Sequence, residues 1–255
     1  MPAEGVFHNC VIVSIDKRYP MQSRRIMSAL WGLGQMSFVK IIITVDSKVN
    51  VHDYEEVAKI LLSTVDFETD LFFSEGILDV LNHASDQVLY GSKLGIDLTS
   101  KIEGEPGYSK DVPPLIETKR LPRPEEITKT FQEIKTCQIM ELQVPVLLVA
   151  LDKQTKNQGS KFIDAFFANS EFSAIEILIV LESHVDLTNI SIVMWKLFNN
   201  LDPKRDLYFK NNRVGIDVTK KLPEEGYQQN WPEEIEMSSE IKTKVNKKWP
   251  TLFKE

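Results

Sequence analysis

The sequence predicts an α/β protein built as a tandem duplication of a Rossmann-like unit, with mainly parallel sheets and helices on both faces. Three observations carry that expectation. Short apolar runs alternate with amphipathic stretches at βαβ spacing. Residues 10–73 lie on 146–209 without a gap, at about 16 identities in about 64 positions, which is the mark of an internal repeat. The phrase Gly-Ile-Asp-aliphatic-Thr, with a Lys two places on, occurs at 95–101 and again at 215–221.

The elements follow in order. "NCVIVSID" (9–16) is β-branched and apolar, too short for a buried helix, and reads as a covered strand. From Met21 to Leu33, Ile26, Met27, Leu30 and Trp31 fall at helical spacing, and Gly32 and Gly34 end the pattern. "FVKIIITVD" (38–46) is a second covered strand. "VHDYEEVAKILLSTV" (51–65) is an amphipathic helix capped by His52 or Asp53, with Tyr54, Val57, Ile60 and Leu61 facing inward. "DLFF" (70–73) is a short third strand, and a parallel sheet with right-handed crossovers is expected. The proline-rich, charged stretch 109–128 reads as a linker or surface excursion, and "PEEITKTFQEI" as a helix after it.

The second half repeats this order: "VPVLLVALDK" (144–153), "AIEILIVLESHVDL" (174–187) and "NISIVMWKLFNNLDPKRDLYF" (189–209). Asp16, Lys17, Asp66 and Asp70 fall on Asp152, Lys153, Asp202 and Asp206. Only after Phe73 does the register break, where the first copy carries roughly 16 extra residues before the shared phrase returns, a loop-sized difference. The expected division is a first α/β unit at 1–110, a linker and helix at 111–137, and a diverged second unit at 138–255.

A net charge of −7 argues against nucleic acid as a partner, because phosphate affinity needs clustered Lys and Arg. Short basic groups at Arg18, Arg24, Arg25 and at Lys242, Lys244, Lys247, Lys248 read as solvated helix faces. Cys10 and Cys137 have no disulfide or metal spacing and read as reduced thiols of a cytoplasmic protein. The first ten residues lack signal-peptide character, and apolar runs such as "VPVLLVAL" fall far short of the roughly 20 residues needed to cross a bilayer.

Catalytic signatures are sparse. None of the four histidines makes an HxH or HxxxH pair. His83, in the extra loop, is the one to test, against a surface or capping role. "GLGQMS" (32–37) is glycine-rich but follows a helix and precedes a strand, the reverse of a dinucleotide fingerprint. It reads instead as a turn at an edge of the sheet. Asp16, Asp46, Asp152 and Glu182 each follow a strand, where they either line a ligand edge or cap the next turn.

A family resemblance extends this reading. "VIVSIDKRYPMQSRRIMSALWGLGQMSFVKIIITVDSKVNVHDYEEV", "VDFETDLFF", "DVLNHAS" and "GSKLGIDLT" together resemble the C-terminal region of the UbiD-type decarboxylases, the 3-polyprenyl-4-hydroxybenzoate carboxy-lyase family. The resemblance implies non-oxidative decarboxylation of an aromatic or unsaturated acid, in ubiquinone or menaquinone biosynthesis among other settings, with prenylated FMN and Mn. It also implies that the Glu-Arg-Glu set and the metal ligands sit in an N-terminal flavin-binding domain, which is the expected partner alongside a homo-oligomer. No catalytic residue or metal ligand is then assigned here, and the chain alone should be inactive. Gln35, Met36 and Phe38 are implied on the cofactor side, and Ile77, Leu78 and Leu81 at the substrate, or else packed under the loop.

Departures from the family pattern include Met21 and Gln22 after "RYP", and "DFETD" (66–70) where the second copy keeps "DPKRD" (202–206). A stand-alone assembly module is the alternative, and nucleotide binding at one sheet edge a further one. The repeated phrase itself reads as architectural: a glycine turn, a buried Ile, and Asp and Thr bonding local backbone.

Overall fold

A computed structural model describes residues 6–109, 120–142, 144–233 and 237–252. The first unit contains α1 (Val6–Asn9), β1 (Cys10–Ile15), α2 (Gln22–Trp31), β2 (Ile41–Asp46), α3 (Tyr54–Thr64), β3 (Leu71–Ile77) and β4 (Tyr90–Asp97). After α4 (Pro124–Thr130) and β5 (Ile134–Glu141), the second unit runs β6 (Pro145–Leu151), α5 (Gln158–Ala168), β7 (Ile177–Glu182), α6 (Ile190–Asn200), α7 (Pro203–Asp206), β8 (Leu207–Lys210) and β9 (Arg213–Asp217). Helix α8 (Ser239–Leu252) closes the described chain.

The sheets have orders β1-β2-β4-β3 and β5-β6-β7-β9-β8. β2 and β7 are central and buried along nearly their whole length, which is why they read as unbroken apolar runs. Their registers agree between units: Cys10 pairs with Ile41 as Val146 pairs with Ile177, and Ile41 with Leu94 as Ile177 with Val214. The cap of α3 is Asp53, whose side chain accepts from the Glu56 amide at 2.9 Å. Asn189 does the same for α6. Val57 is buried and Ile60 and Leu61 are partly so, whereas Tyr54 sits at the helix start and is 40% exposed.

Three expectations are corrected. β3 and β8 run antiparallel to their neighbours, because each joins the next strand through a hairpin and no crossover helix intervenes. Between β8 and β9 the hairpin has two residues, Asn211 and Asn212, with φ of 52° and 56°, the left-handed pair that a tight hairpin with native twist requires. β5 was not foreseen; it begins at Ile134, inside the segment expected to be linker and helix, and pairs antiparallel with β6. α4 accordingly stops at Thr130. Finally, Gly95 and Gly215 lie within strands β4 and β9 and form no turn. A Cβ on Gly95 would collide with the Met27 thioether, and one on Gly215 with the Ile163 side chain. These glycines let α2 and α5 approach the sheets closely. Ile96 of the same phrase is half-buried at the core's edge.

One apolar cluster runs through both units. It joins Ile43, Val45 and Leu94 to Leu148, Ile179, Leu181 and Val214, with Val57 of α3 and Val193 and Phe198 of α6. Phe209 carries it to the surface, its ring 5.8 Å from Phe67 and 6.4 Å from Phe73.

The two glycines differ in what an added methyl would meet. Gly215→Ala presses on a stiff β-branched side chain and should destabilise by about 1–3 kcal/mol. Gly95→Ala presses on a flexible methionine and should cost visibly less. Urea midpoints of the two variants check this, and an equal loss would show that the helix side chain does not set the penalty.

Candidate functional site

In an open α/β sheet the carboxyl ends of the strands are the usual ligand edge. Here each unit fills that edge with its own side chains. Lys17 pairs with Glu105 at 2.5 Å, the side chains 3% and 1% exposed. Lys153 pairs with Glu225 at 2.8 Å, 1% and 7% exposed. Each glutamate also takes a backbone amide from the loop after the first strand: Met21 N–H to Glu105 at 2.7 Å, and Asn157 N–H to Glu225 at 2.7 Å. Met21 and Asn157 hold left-handed φ of 62° and 57°.

Beside this clamp stands the repeated phrase. Asp97 accepts from the Thr99 amide (3.0 Å) and hydroxyl (2.5 Å), and Asp217 accepts from Thr219 likewise (3.1 and 2.6 Å). The terminal lysines of the phrase form ion pairs, Lys101 with Asp70 and Lys221 with Asp206 (3.1 Å). The Asp and Thr of the phrase therefore bond locally, as expected. Burial alone would raise the Glu105 and Glu225 carboxyls. Hydrogen bonds from the lysines and backbone amides outweigh it and hold both below the usual range.

Three of the four strand-end carboxylates accept hydrogen bonds from the protein itself. Asp16 accepts from Arg18 at 2.8 Å, Asp46 from the Ser100 hydroxyl at 2.6 Å and Asp152 from Gln154 at 2.9 Å. The Glu182 carbonyl accepts from the Val185 amide. Among the described residues no group of His, Cys, Asp or Glu is placed to hold a metal ion.

The opposite, amino edge of the first sheet is built differently. The 3-10 turn Gly34–Phe38 and the extra loop 78–89 both lie there, one before β2 and the other before β4. Two buried lysines tie them together. Lys93 donates to the Ser37 and Val39 carbonyls at 2.5 and 2.9 Å. Lys40, 1% exposed, donates to Asn82 of the loop at 3.0 Å. Burial pushes Lys40 down to about 7, against the pull of Asp202 and Asp206, and Lys93 down to about 8. The sequence reading missed both, although each is a lone cation inside an apolar run, "FVKIII" and "SKLGI".

The loop is fastened to the second unit. Tyr227 Oη donates to the His83 carbonyl at 2.6 Å, Gln229 to the Ser85 carbonyl at 2.7 Å, and Arg205 to Asp86 at 2.7 Å. Ser92 donates to Asp202, and the Lys204 amide donates back to the Ser92 hydroxyl at 3.0 Å. Asn200 donates to the Val218 carbonyl, so its oxygen faces His83 Nε2 at 3.1 Å and assigns that nitrogen as the donor. Burial lowers the His83 pKa, and Trp231 meets its ring edge-on at 4.9 Å. His83 is thus part of a clasp between units.

Of the residues implied at the cofactor, Gln35 is exposed and Met36 and Phe38 are half-buried on the 3-10 turn. Of those implied at the substrate, Leu78 is buried at 1% exposure, while Ile77 and Leu81 are 55% and 68% exposed. The two exposed ones belong to a wider apolar rim with Val80, Val88 and Leu89. The structure brings the turn and the loop to the same amino edge of the first sheet. No helix among the described residues is long and apolar enough to cross a membrane.

Comparison with known proteins follows this geometry. The family model described as the 3-octaprenyl-4-hydroxybenzoate carboxy-lyase C-terminal domain matches residues 1–98 and 120–228. A protein of Helicobacter pylori J99 is 31% identical over 256 residues, covering 97% of this chain and 39% of its own length. One of Aquifex aeolicus is 41% identical over 134 residues, covering 52% of this chain and 26% of its own. The chain thus spans about two fifths of the length of the Helicobacter relative. Among solved structures, the open form of vanillic acid decarboxylase from Sedimentibacter hydroxybenzoicus is 25% identical, with a TM-score of 0.37 over 49% of this chain and 26% of that one. An evolved dimeric form of the UbiD-class enzyme HmfF from Pelotomaculum thermopropionicum, in complex with prFMN, is 19% identical, with a TM-score of 0.38 over 48% and 28%.

Two predictions follow from the two edges. Glu225→Gln removes the carboxylate that buried Lys153 pairs with, leaving it only the field of Asp217, and should cost about 3 kcal/mol in urea unfolding. Both glutamates are depressed, so their contribution is complete above the unfolded carboxyl pKa of about 4.3 and is lost as pH falls through the lower folded value. The variant should therefore show a shallower acid limb, and an unchanged midpoint at pH 7 would remove the clamp. At the other edge Lys40 is lowered, so between about pH 7 and 10 the unfolded chain holds more protons and stability rises with pH. Lys40→Met should flatten that rise; an unchanged slope would mean that the lysine is hydrated.

Proposed function

Because this chain belongs to the 3-octaprenyl-4-hydroxybenzoate carboxy-lyase C-terminal domain family, we propose that it is the substrate-side and assembly part of a UbiD-type prenylated-FMN-dependent decarboxylase of aromatic or prenylated hydroxy-acids. The observation that carries the proposal is the family match combined with the apolar rim Ile77, Val80, Leu81, Val88 and Leu89, exposed next to the 3-10 turn Gly34–Phe38. An apolar wall with few polar groups suits an aromatic or prenylated acid.

In this reading a separate flavin-binding domain supplies the acid, the arginine and the metal ligands. Gln35, Met36 and Phe38 fit a covering role: an exposed amide and two half-buried apolar side chains can lie against a flat ring system. They offer no charge for a phosphate or a metal. When bound, the cofactor supplies the electron sink for loss of carbon dioxide. This chain's residues exclude water from the substrate and orient its apolar part. The buried lysines and the clasp hold the rim fixed, so its shape exists before the substrate arrives. In this reading the two units also mediate the association of subunits into a cytoplasmic homo-oligomer.

The test combines this chain with the part of the Helicobacter relative that lies outside the matched region, prenylated FMN and Mn, and measures carbon dioxide released from 4-hydroxybenzoate-type acids. Turnover should require both polypeptides. The double variant Leu81→Asp, Val88→Asp should cut the rate at least about tenfold with an unchanged melting temperature, because a charged rim must be desolvated when an apolar substrate docks. Turnover by this chain alone, or a rate that ignores its presence, would sink the proposal. In the second case the chain is a stand-alone assembly module.

A further inference from the structure

The inserted loop 78–89 has two sides. Val80, Leu81, Val88 and Leu89 are exposed on one. Asn82, Ala84 and Ser85 are buried on the other. Bonds within the loop tie its neck and its turns: the Leu78 amide to the Leu89 carbonyl, the Leu81 amide to Asp79, Asn82 to the Ser85 hydroxyl, and that hydroxyl to the Gln87 carbonyl. The carbonyls of His83 and Ser85 accept from outside the loop, from Tyr227 and Gln229 of the second unit.

These two donors sit on a strap that has a counterpart in the first unit. Each clamp glutamate, Glu105 or Glu225, is followed within two residues by a glycine of left-handed φ, 76° at Gly107 and 88° at Gly226. A tyrosine comes next in both. Tyr108 of the first unit is 36% exposed, whereas Tyr227 of the second is 3% exposed. The second strap runs on past Gln229 to Trp231, whose ring lies 5.3 Å from Tyr227 and 4.9 Å from His83. Its root is fixed, because Glu225 is held by Lys153 and by the Leu222 and Asn157 amides. At the neck of the loop there is no slack either. A Cβ on Gly91 would lie 2.6 Å from Ser85 Cβ, 2.8 Å from Leu78 Cδ1 and 3.3 Å from Asp202 Oδ2 of the second unit.

We infer that the second unit is a specificity element for the first. Tyr227 and Gln229 are positioning residues: they fix the backbone from which Val80, Leu81, Val88 and Leu89 project, and touch no reacting group themselves. The part of a ligand selected in this way is an apolar substituent on an aromatic acid. That identification rests on the function proposed above; the hold on the loop does not. A loop ordered beforehand adds no ordering cost when the substituent docks. A loop released from the strap adds that cost to binding alone, since the rim lies against the part of the substrate remote from its carboxyl group. The loss then falls on KM and leaves kcat. An acid without the substituent does not reach the rim and is indifferent to the strap.

The experiment compares the whole chain with its Tyr227→Phe, Gln229→Ala double variant. By hydrogen exchange, the Leu81 and Asn82 amides should exchange at least about tenfold faster in the variant, because two bonds that close the loop are gone. Amides of the central strands β2 and β7 should not change. In the two-polypeptide assay, KM for a prenylated 4-hydroxybenzoate should rise about tenfold at unchanged kcat, and KM for 4-hydroxybenzoate itself should stay as it was. Should the double variant not fold, Tyr227→Phe alone keeps the ring against Trp231, loses only the donor, and should show the same pattern at about threefold. Loop exchange that ignores the substitutions overturns the inference. So does a KM that rises equally for the two acids, or for neither. Faster loop exchange in a protein that turns over neither acid, even unsubstituted, would keep the hold of the second unit on the loop and remove the proposed function.

Discussion

The buried clamp at the carboxyl edge governs what the rest of the molecule can do. A lysine from the end of the first strand and a glutamate from beyond the last one meet almost out of water, twice, at Lys17–Glu105 and Lys153–Glu225. Two charges so placed are tolerated only if their remaining hydrogen-bonding capacity is satisfied. Backbone amides of Met21 and Ile102, and of Asn157 and Leu222, supply that capacity. The loop after the first strand is thereby tied to the segment after the last, and the usual ligand edge of each sheet is occupied by the protein's own groups.

That constraint moves the candidate function to the amino edge of the first sheet. There the two units cease to be alike. The second unit turns from β8 to β9 over Asn211 and Asn212. The first unit inserts residues 78–89, buries Leu78, and leaves Ile77, Val80, Leu81, Val88 and Leu89 on the rim. The insertion is rigid for identifiable reasons: Lys40 and Arg205 hold Asn82 and Asp86, and Tyr227 and Gln229 hold the His83 and Ser85 carbonyls. An apolar surface on a firmly held loop is suited to recognition more than to gating. In the function proposed above, this surface shapes a pocket whose reactive groups lie on another domain.

Much of this was legible in the chain itself. Covered strands announced themselves as apolar runs, and the cap of α3 as one of two neighbours, His52 or Asp53, between which the structure chose Asp53. The Asp and Thr of the repeated phrase bond locally, as their short polar side chains suggest. Other features were not legible. Gly95 and Gly215 look like turn residues in sequence and prove to be clearances for Met27 and Ile163, which lie far away along the chain. β5 has too few buried positions to stand out from a linker, since only its pairing with β6 makes it a strand. His83 carried a possible chemical role in sequence, and its hydrogen bond to Asn200 and edge-on contact with Trp231 give it a structural one.

The sequence alone determined the α/β class, the positions of the covered strands β1, β2, β6 and β7 and of the helices between them, and the loop-sized difference after Phe73. The class and the elements are local properties, set by periodicity, β-branching and turn chemistry over a few neighbouring residues. Only the tertiary structure decided which strands run antiparallel, where the lysines of the apolar runs find their acceptors, and that the inserted loop is clasped to the other unit. It also decided that β5 closes the edge of the second sheet while β1 ends the first. Those outcomes depend on hydrogen bonds and packing between residues tens to more than a hundred positions apart, such as Lys93 to Ser37 and Tyr227 to His83. No window of sequence contains both partners.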